Sequence, residues 1–132
     1  MTFMLDTNIV IAALRKRPTA LAALHAHAYD DMTMSAITLA ELRHGIAKSA
    51  DPARNERALL QITALIHVLP FDQLAAVRYG DVIAGLERSG SPIGVMDALI
   101  ASHALSCGCV LVTHNTREFT RVSGLRVEDW LE

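Results

Sequence analysis

Phe3-Met4-Leu5 is a short apolar run that stops at Asp6, the pattern of a buried strand followed by a turn and a helix from about Ile9. Pro18 suits the first turn of a second helix, Ala/Leu-rich through Tyr29. Met32-Thr33-Met34-Ser35 reads as a second strand, and the helix after it carries Leu39, Leu42 and Ile46 on one face. Asp51-Pro52 pairs an N-cap residue with proline at the first helical position. Leu59, Ile62 and Ile66 carry that helix to His67, and Val68-Leu69-Pro70-Phe71 reads as a third strand. Asp72 caps a helix to about Ser89 whose apolar side is Leu74, Val77, Val82 and Leu86. After the break at Gly90-Ser91-Pro92, Val95 to Cys107 reads as a buried helix ended by Gly108. Cys109-Val110-Leu111-Val112-Thr113 is the clearest strand, continuous and apolar as in the middle of a parallel sheet. Short strands alternating with helices predict an α/β protein with a parallel sheet covered on both faces. In such sheets ligands bind beyond the carboxyl ends of the strands.

Composition narrows the class. At 52% apolar and 20% charged residues, the 132-residue chain is too hydrophobic for a disordered segment, and residues 1–132 fit one compact domain. Apolar runs such as Ile9–Leu14 fall far short of the roughly 18 residues that span a bilayer, so no membrane is expected. The start Met1-Thr2-Phe3-Met4-Leu5-Asp6 lacks the basic segment of a signal peptide. Cys107 and Cys109, one residue apart, are poorly placed for a disulfide. A cytoplasmic protein is the expectation. The net charge of -2, from 12 Lys+Arg against 14 Asp+Glu, argues at first sight against a nucleic-acid partner.

Three acids change that picture. Asp6 follows the first strand directly, Glu41 sits inside Ile37-Thr38-Leu39-Ala40-Glu41-Leu42, and Asp97 is the one charge between Ser89 and His103. A carboxylate near a core is costly unless it is paired or binds a cation. No Lys or Arg lies close in sequence to Asp6 or Asp97, and Mg²⁺ is the usual partner of an all-oxygen set. Ordinary roles compete: Asp6 as a helix cap, Asp97 at the positive end of a helix, Glu41 paired with Arg43 or Arg15. After the last strand, Thr113 can hold a water or cap a helix, and Glu118 is either a fourth carboxylate or a surface acid beside Arg117 and Arg121. His103, Cys107, Cys109 and His114 lack zinc-motif spacing; buried thiols and a cap-region histidine explain them better.

Leu5-Asp6-Thr7-Asn8, Ser35-Ala36-Ile37-Thr38-Leu39-Ala40-Glu41-Leu42, Asp97-Ala98-Leu99-Ile100-Ala101 and the Thr-x-Asn-x-x-Glu-Phe ending together resemble PIN-domain ribonucleases. Nearly end to end, including Val127-Glu128-Asp129-Trp130, the chain is similar to the VapC toxins of type II toxin–antitoxin pairs. The resemblance implies a three-layer α/β/α sandwich with a central, mainly parallel sheet of four or five strands. It implies a cluster of acids binding Mg²⁺ or Mn²⁺, with Asp6, Glu41 and Asp97 matching the three core acids. Many PIN domains have Asp where this chain has the neutral Asn115, which leaves Glu118 as the available fourth acid.

The implied activity is metal-dependent hydrolysis of RNA phosphodiesters, with tRNA and in particular initiator tRNA as the substrate, blocking translation and leaving a 5′-phosphate and a 3′-hydroxyl. Asn8 and Thr113 orient carboxylates or water in this reading. Arg15, Arg17, Arg43, Lys48 and Arg117 are the candidate contacts to RNA or to a neutralising VapB-like antitoxin. A homodimer, joined through the Leu21/Leu24 helix if that helix is not simply core, and DNA contact only through the antitoxin complete the implied partners. The alternative is a PIN-like module that binds RNA or a partner with little catalysis. If Asp6, Glu41, Asp97 and Glu118 go to a metal site, ten of the 14 acids remain against 12 Lys+Arg. The acidic total then does not exclude RNA, whose binding is expected to depend on the metal as well as on salt.

Overall fold

Five short strands frame the computed structural model, which describes residues 1–132. They are β1 (Phe3–Leu5), β2 (Met32–Ser35), β3 (His67–Leu69), β4 (Val110–Val112) and β5 (Val127–Glu128). The sheet order is β3-β2-β1-β4-β5 and every pairing is parallel. The helices are α1 (Thr7–Leu14), α2 (Pro18–His25), α3 (Ala36–Ala47), α4 (Pro52–Thr63), α5 (Gln73–Ser89), α6 (Val95–Cys107) and α7 (Thr116–Phe119).

Strand alternation divides the core into two layers. Phe3, Leu5, Met32, Met34, Val110 and Val112 point to one side and pack with Ile9, Val10, Leu24, Leu42 and Leu59 from α1 to α4. Met4 and Leu111 point to the other side, against Val82, Leu86, Ile100, Ala101, Ala104 and Phe119 from α5 to α7. The result is the expected α/β/α sandwich, with all five strands parallel. Since β2 and β4 flank β1 on opposite sides, the chain reverses its direction across the sheet there, and the ends of β1 and β4 are where a parallel sheet of this kind forms its ligand crevice.

Several boundaries differ from the sequence reading. α1 starts at Thr7, not near Ile9, because Asp6 is its N-cap and accepts the Thr7 N–H. α2 stops at His25, short of Tyr29, and the His27 ring just beyond stacks on Trp130 at 4.2 Å. α4 ends at Thr63 rather than His67, since His67 opens β3 opposite Thr33. Pro70 has no N–H to give a sheet and β3 ends at Leu69. The apolar runs mark four strands, and β5 (Val127–Glu128) is the fifth of the four or five that the resemblance implies. On α5, Leu74 and Val77 are exposed, and Ala75, Val82 and Leu86 make the buried side. Leu24 is core; Cys109 is buried but Cys107 is exposed. No helix is long and apolar enough to cross a membrane.

Candidate active site

The crevice is built first from β1. Asp6 is only 4% exposed, and its backbone N–H continues the sheet by donating to Val112 O at 2.8 Å. Its carboxylate does two jobs at once. Oδ1 accepts the Thr7 N–H at 2.8 Å, capping α1, and Oδ2 accepts the Thr113 hydroxyl at 2.7 Å across the switch point. The capping role expected of a lone Asp is therefore real, and it leaves the second oxygen tied to the end of β4.

Thr7 extends the arrangement to α3. Its hydroxyl donates to Glu41 Oε1 at 2.6 Å, so consecutive residues of one motif hold two acids that are 35 positions apart in the chain. Neither Arg43 nor Arg15 pairs with Glu41; Arg43 makes its ion pair with Glu56 of α4. Thr7 was not among the candidate site residues. A hydroxyl immediately after an N-cap acid was the available signal, but its partner is a tertiary contact.

Opposite this pair stands a second one. Asp97 lies in the first turn of α6, and Glu118 lies in α7. Their carboxyl groups share a hydrogen bond. Glu118 also accepts from Asn115 Nδ2 at 2.5 Å, and the nearby backbone N–H of Gly94, the N-cap of α6, adds a small pull toward its charged form. Arg121 adds its charge beside Glu118 and donates to Pro92 O at 3.0 Å, which ties the Pro92–Gly94 turn to α7. Glu118 is thus a member of the acid group and not a detached surface residue.

The polar residues beyond β4 hold the crevice shut behind Asp6. Thr113 Oγ1 accepts the Asn115 N–H at 3.0 Å and a long bond from Asn8 Nδ2 at 3.4 Å, while Asn8 Oδ1 accepts the His114 N–H at 3.1 Å. His114 reaches Asp129 at 3.0 Å, and the buried His103 bonds Ser35 Oγ at 2.8 Å, so neither belongs to a zinc site.

Electrostatics follow from this crowding. Burial, foremost, pushes the Asp6 carboxyl up, against the two hydrogen bonds from Thr113 and Thr7 and with the charges of Glu41 and Glu118. Asp97 is pushed up to about 7, by burial first, then by its bond to Glu118, then by the charges of Asp6, Glu118 and Glu41. Glu118 is held below its ordinary range, chiefly by the hydrogen bonds from Asp97 and Asn115. The four acids thus sense one another, yet no three of them stand at ligand-cage distances. They form two linked pairs facing across the crevice. Arg15 and Glu41 line a common groove of about 250 Å³. Arg17, Lys48 and Arg117 are exposed, with Arg17 and Lys48 at the ends of α2 and α3.

The PIN domain family profile matches residues 3–125. The chain is 44% identical over 128 residues, 97% of each protein, to the tRNA(fMet)-specific endonuclease VapC of Shigella flexneri. It is 39% identical over 129 residues, 98% of each, to ribonuclease VapC2 of Haemophilus influenzae. Among solved structures, VapBC2 from Rickettsia felis bound to a promoter DNA fragment superposes with a TM-score of 0.93 at 36% identity, covering 98% of this chain and 99% of that one. DNA-bound VapBC from Salmonella typhimurium gives 0.93 at 40% identity, covering 98% of each.

Proposed function

The chain belongs to the PIN-domain family and to its VapC branch, and from that membership we propose that it is a metal-dependent endoribonuclease toxin neutralised by a VapB-like antitoxin. The observation that carries the proposal is the meeting of Asp6, Glu41, Asp97 and Glu118, from four separate elements, at the switch point of a parallel sheet. Four converging carboxylates cost folding free energy, and a protein that only binds has no use for them.

The donor set fits a hard divalent cation such as Mg²⁺ or Mn²⁺. It is all oxygen, no Lys or Arg bonds Asp6, Glu41 or Asp97, and the upward shifts of Asp6 and Asp97 are of the kind a dication reverses. Asp6, Glu41 and Asp97 would hold the ion if drawn closer together than they stand here, with Glu118 beside Asp97. Such an ion would supply an activated water and offset negative charge on the phosphoryl oxygens. The protein's own part is orientation. Thr113 and the Thr7 N–H fix both oxygens of Asp6, the Thr7 hydroxyl fixes Glu41, and Asn115 fixes Glu118.

The substrate is RNA, with tRNA the class cut, following the activity named for the Shigella flexneri relative. Promoter DNA is met through the antitoxin, as the DNA-bound VapBC complexes suggest, and exposed Leu74 and Val77 on α5 offer an apolar face to a second copy of the chain. Purified, antitoxin-free protein incubated with total tRNA and Mg²⁺ tests the activity. Cleavage by the wild type and none by Asp6→Ala is expected; no cleavage by either, or equal cleavage by both, sinks the assignment.

A further inference from the structure

The turn between α1 and α2 places a lysine where glycine is the ordinary choice. Arg15 ends α1, Lys16 takes a left-handed backbone at φ 56°, and the Lys16 and Arg17 N–H groups return to Ala13 O and Ala12 O, each at 3.0 Å. That is the Schellman closure, whose left-handed position favours a residue without a Cβ. Lys16 is the one non-glycine residue with positive φ in the chain. Such strain persists where the surrounding structure holds it, and it is enriched at functional sites.

The side chain stands at a cleft of about 380 Å³, walled by the α1–α2 turn on one side and α4 on the other. Arg15, Lys16, Arg54 and Arg57 line it, with Asn55 and Gln61 and no acid. None of the four cationic side chains has an ionic partner. Glu56, the acid between Arg54 and Arg57 in sequence, is taken by Arg43 on α3 and does not line the cleft. Asp51 serves as N-cap of α4 through the Arg54 N–H. Four uncompensated cations in one concave site mark a place for anions, and guanidinium groups suit phosphate oxygens. The cleft shares Leu14, Arg15, Asn55 and Ala58 with the groove that Glu41 lines, so a polyanion bound there leads on to Glu41.

We propose that this cleft binds backbone phosphates of the RNA away from the bond that is cut, with Lys16, Arg54 and Arg57 as contacts. The ligand's identity rests on the ribonuclease reading; the cleft's anion chemistry does not. An antitoxin peptide is the less fitting occupant. The cleft has only Leu14 and Ala58 as apolar lining, whereas the adjoining groove of about 260 Å³, with Leu21, Leu24, Ile62 and Leu65, suits apolar side chains.

Anisotropy of fluorescently labelled total tRNA, titrated with the full chain carrying Asp6→Ala to prevent cutting, tests the cleft over a salt series. Arg57→Gln and Lys16→Gly are each expected to weaken binding about 5- to 10-fold at low salt and to reduce the slope of log K against log salt by about one. Lys16→Gly is expected to melt no lower than its parent, because glycine relieves the backbone. Arg88→Gln, on α5 outside the cleft, serves as the control and leaves both quantities unchanged. Unchanged affinity and slope in both cleft variants overturn the proposal, as does weakened antitoxin binding with tRNA binding intact. Cleavage by the chain with its native Asp6 is read separately: its failure removes the ribonuclease reading while the tRNA affinities still decide the cleft.

Discussion

The two pairs of acids in the crevice are built by different means. Asp6 and Glu41 are fixed by neutral donors: a backbone N–H and two threonine hydroxyls, on elements anchored in the centre of the sheet. Asp97 and Glu118 are fixed by each other, through a shared hydrogen bond between a helix start and a four-residue helix. The first pair shares no proton between its acids, although burial pushes the Asp6 carboxyl up as well. The second depends on its proton, and the charge of the first pair helps to keep that proton on.

Replacing one acid from each pair is the most severe test. Asp6→Asn and Asp97→Asn are both expected to lower kcat/KM on tRNA by about 10³-fold, the rate equivalent of several kcal/mol of lost charge stabilisation. Stability should move the other way, since each substitution removes a carboxylate that burial and its neighbours disfavour. Thermal melting beside initial rates checks this. A loss of stability in Asp97→Asn would show that the acids are not in conflict.

Asp6 and Asp97 were legible because each interrupts an otherwise apolar stretch, and the order of strands and helices was legible from short runs and caps. The pairing of acids was not. Thr7 meets Glu41, and Glu118 meets Asp97, only through tertiary approach of α1 to α3 and of α6 to α7. Hydropathy misassigned α5 for a related reason: Leu74 and Val77 are conspicuous in a pattern and exposed in the fold, while the small Ala75 is buried. Apolar periodicity says that a helix has a buried side but ranks candidates by hydrophobicity, not by which side its neighbour takes.

The next effect concerns pH and the cation. Asp97 titrates near 7 in the fold against 3.8 ordinarily, so between those values the folded chain holds more protons than the unfolded one. Its contribution to stability is therefore full at low pH and is lost as pH rises through about 7. Buried His103, pushed down, works in the opposite direction, so the melting difference between Asp97→Asn and wild type isolates the acid. That difference should be near zero at pH 4 and reach a few degrees at pH 7.5 in EDTA. Mg²⁺ at a fixed concentration, about 100 times its Kd at pH 7.5, should stabilise the wild type by about 2–3 kcal/mol at that pH and by less at pH 5, because ion and proton compete for the same carboxylates. Equal stabilisation at both pH values would break the link between the cation and these acids.

Thr113→Val and Thr7→Val loosen the first pair without removing a charge. Thr113→Val takes away one of the two donors of buried Asp6 and one acceptor for the Asn115 N–H. It is expected to cost about 10- to 100-fold in kcat, and Thr7→Val, which frees the half-exposed Glu41, about 10-fold. Direct comparison of the two rates checks the order. A reversal would place the weight of the site on Glu41.

Glu118→Gln is the mildest change and decides what the second pair is. Glutamine keeps an oxygen for Asn115 Nδ2, and its amide can donate to Asp97. A donor in place of a charge favours ionised Asp97 and should bring its titration below about 7. The loss in kcat/KM at neutral pH should stay under about tenfold, while the fall of stability between pH 5 and 7 becomes shallower. If Glu118→Gln were instead as damaging as Asp97→Asn, Glu118 would be needed as an anion at the ion itself. The two pairs would then be one set of four equal ligands, and the contrast between a fixed pair and a proton-dependent pair would have to be given up.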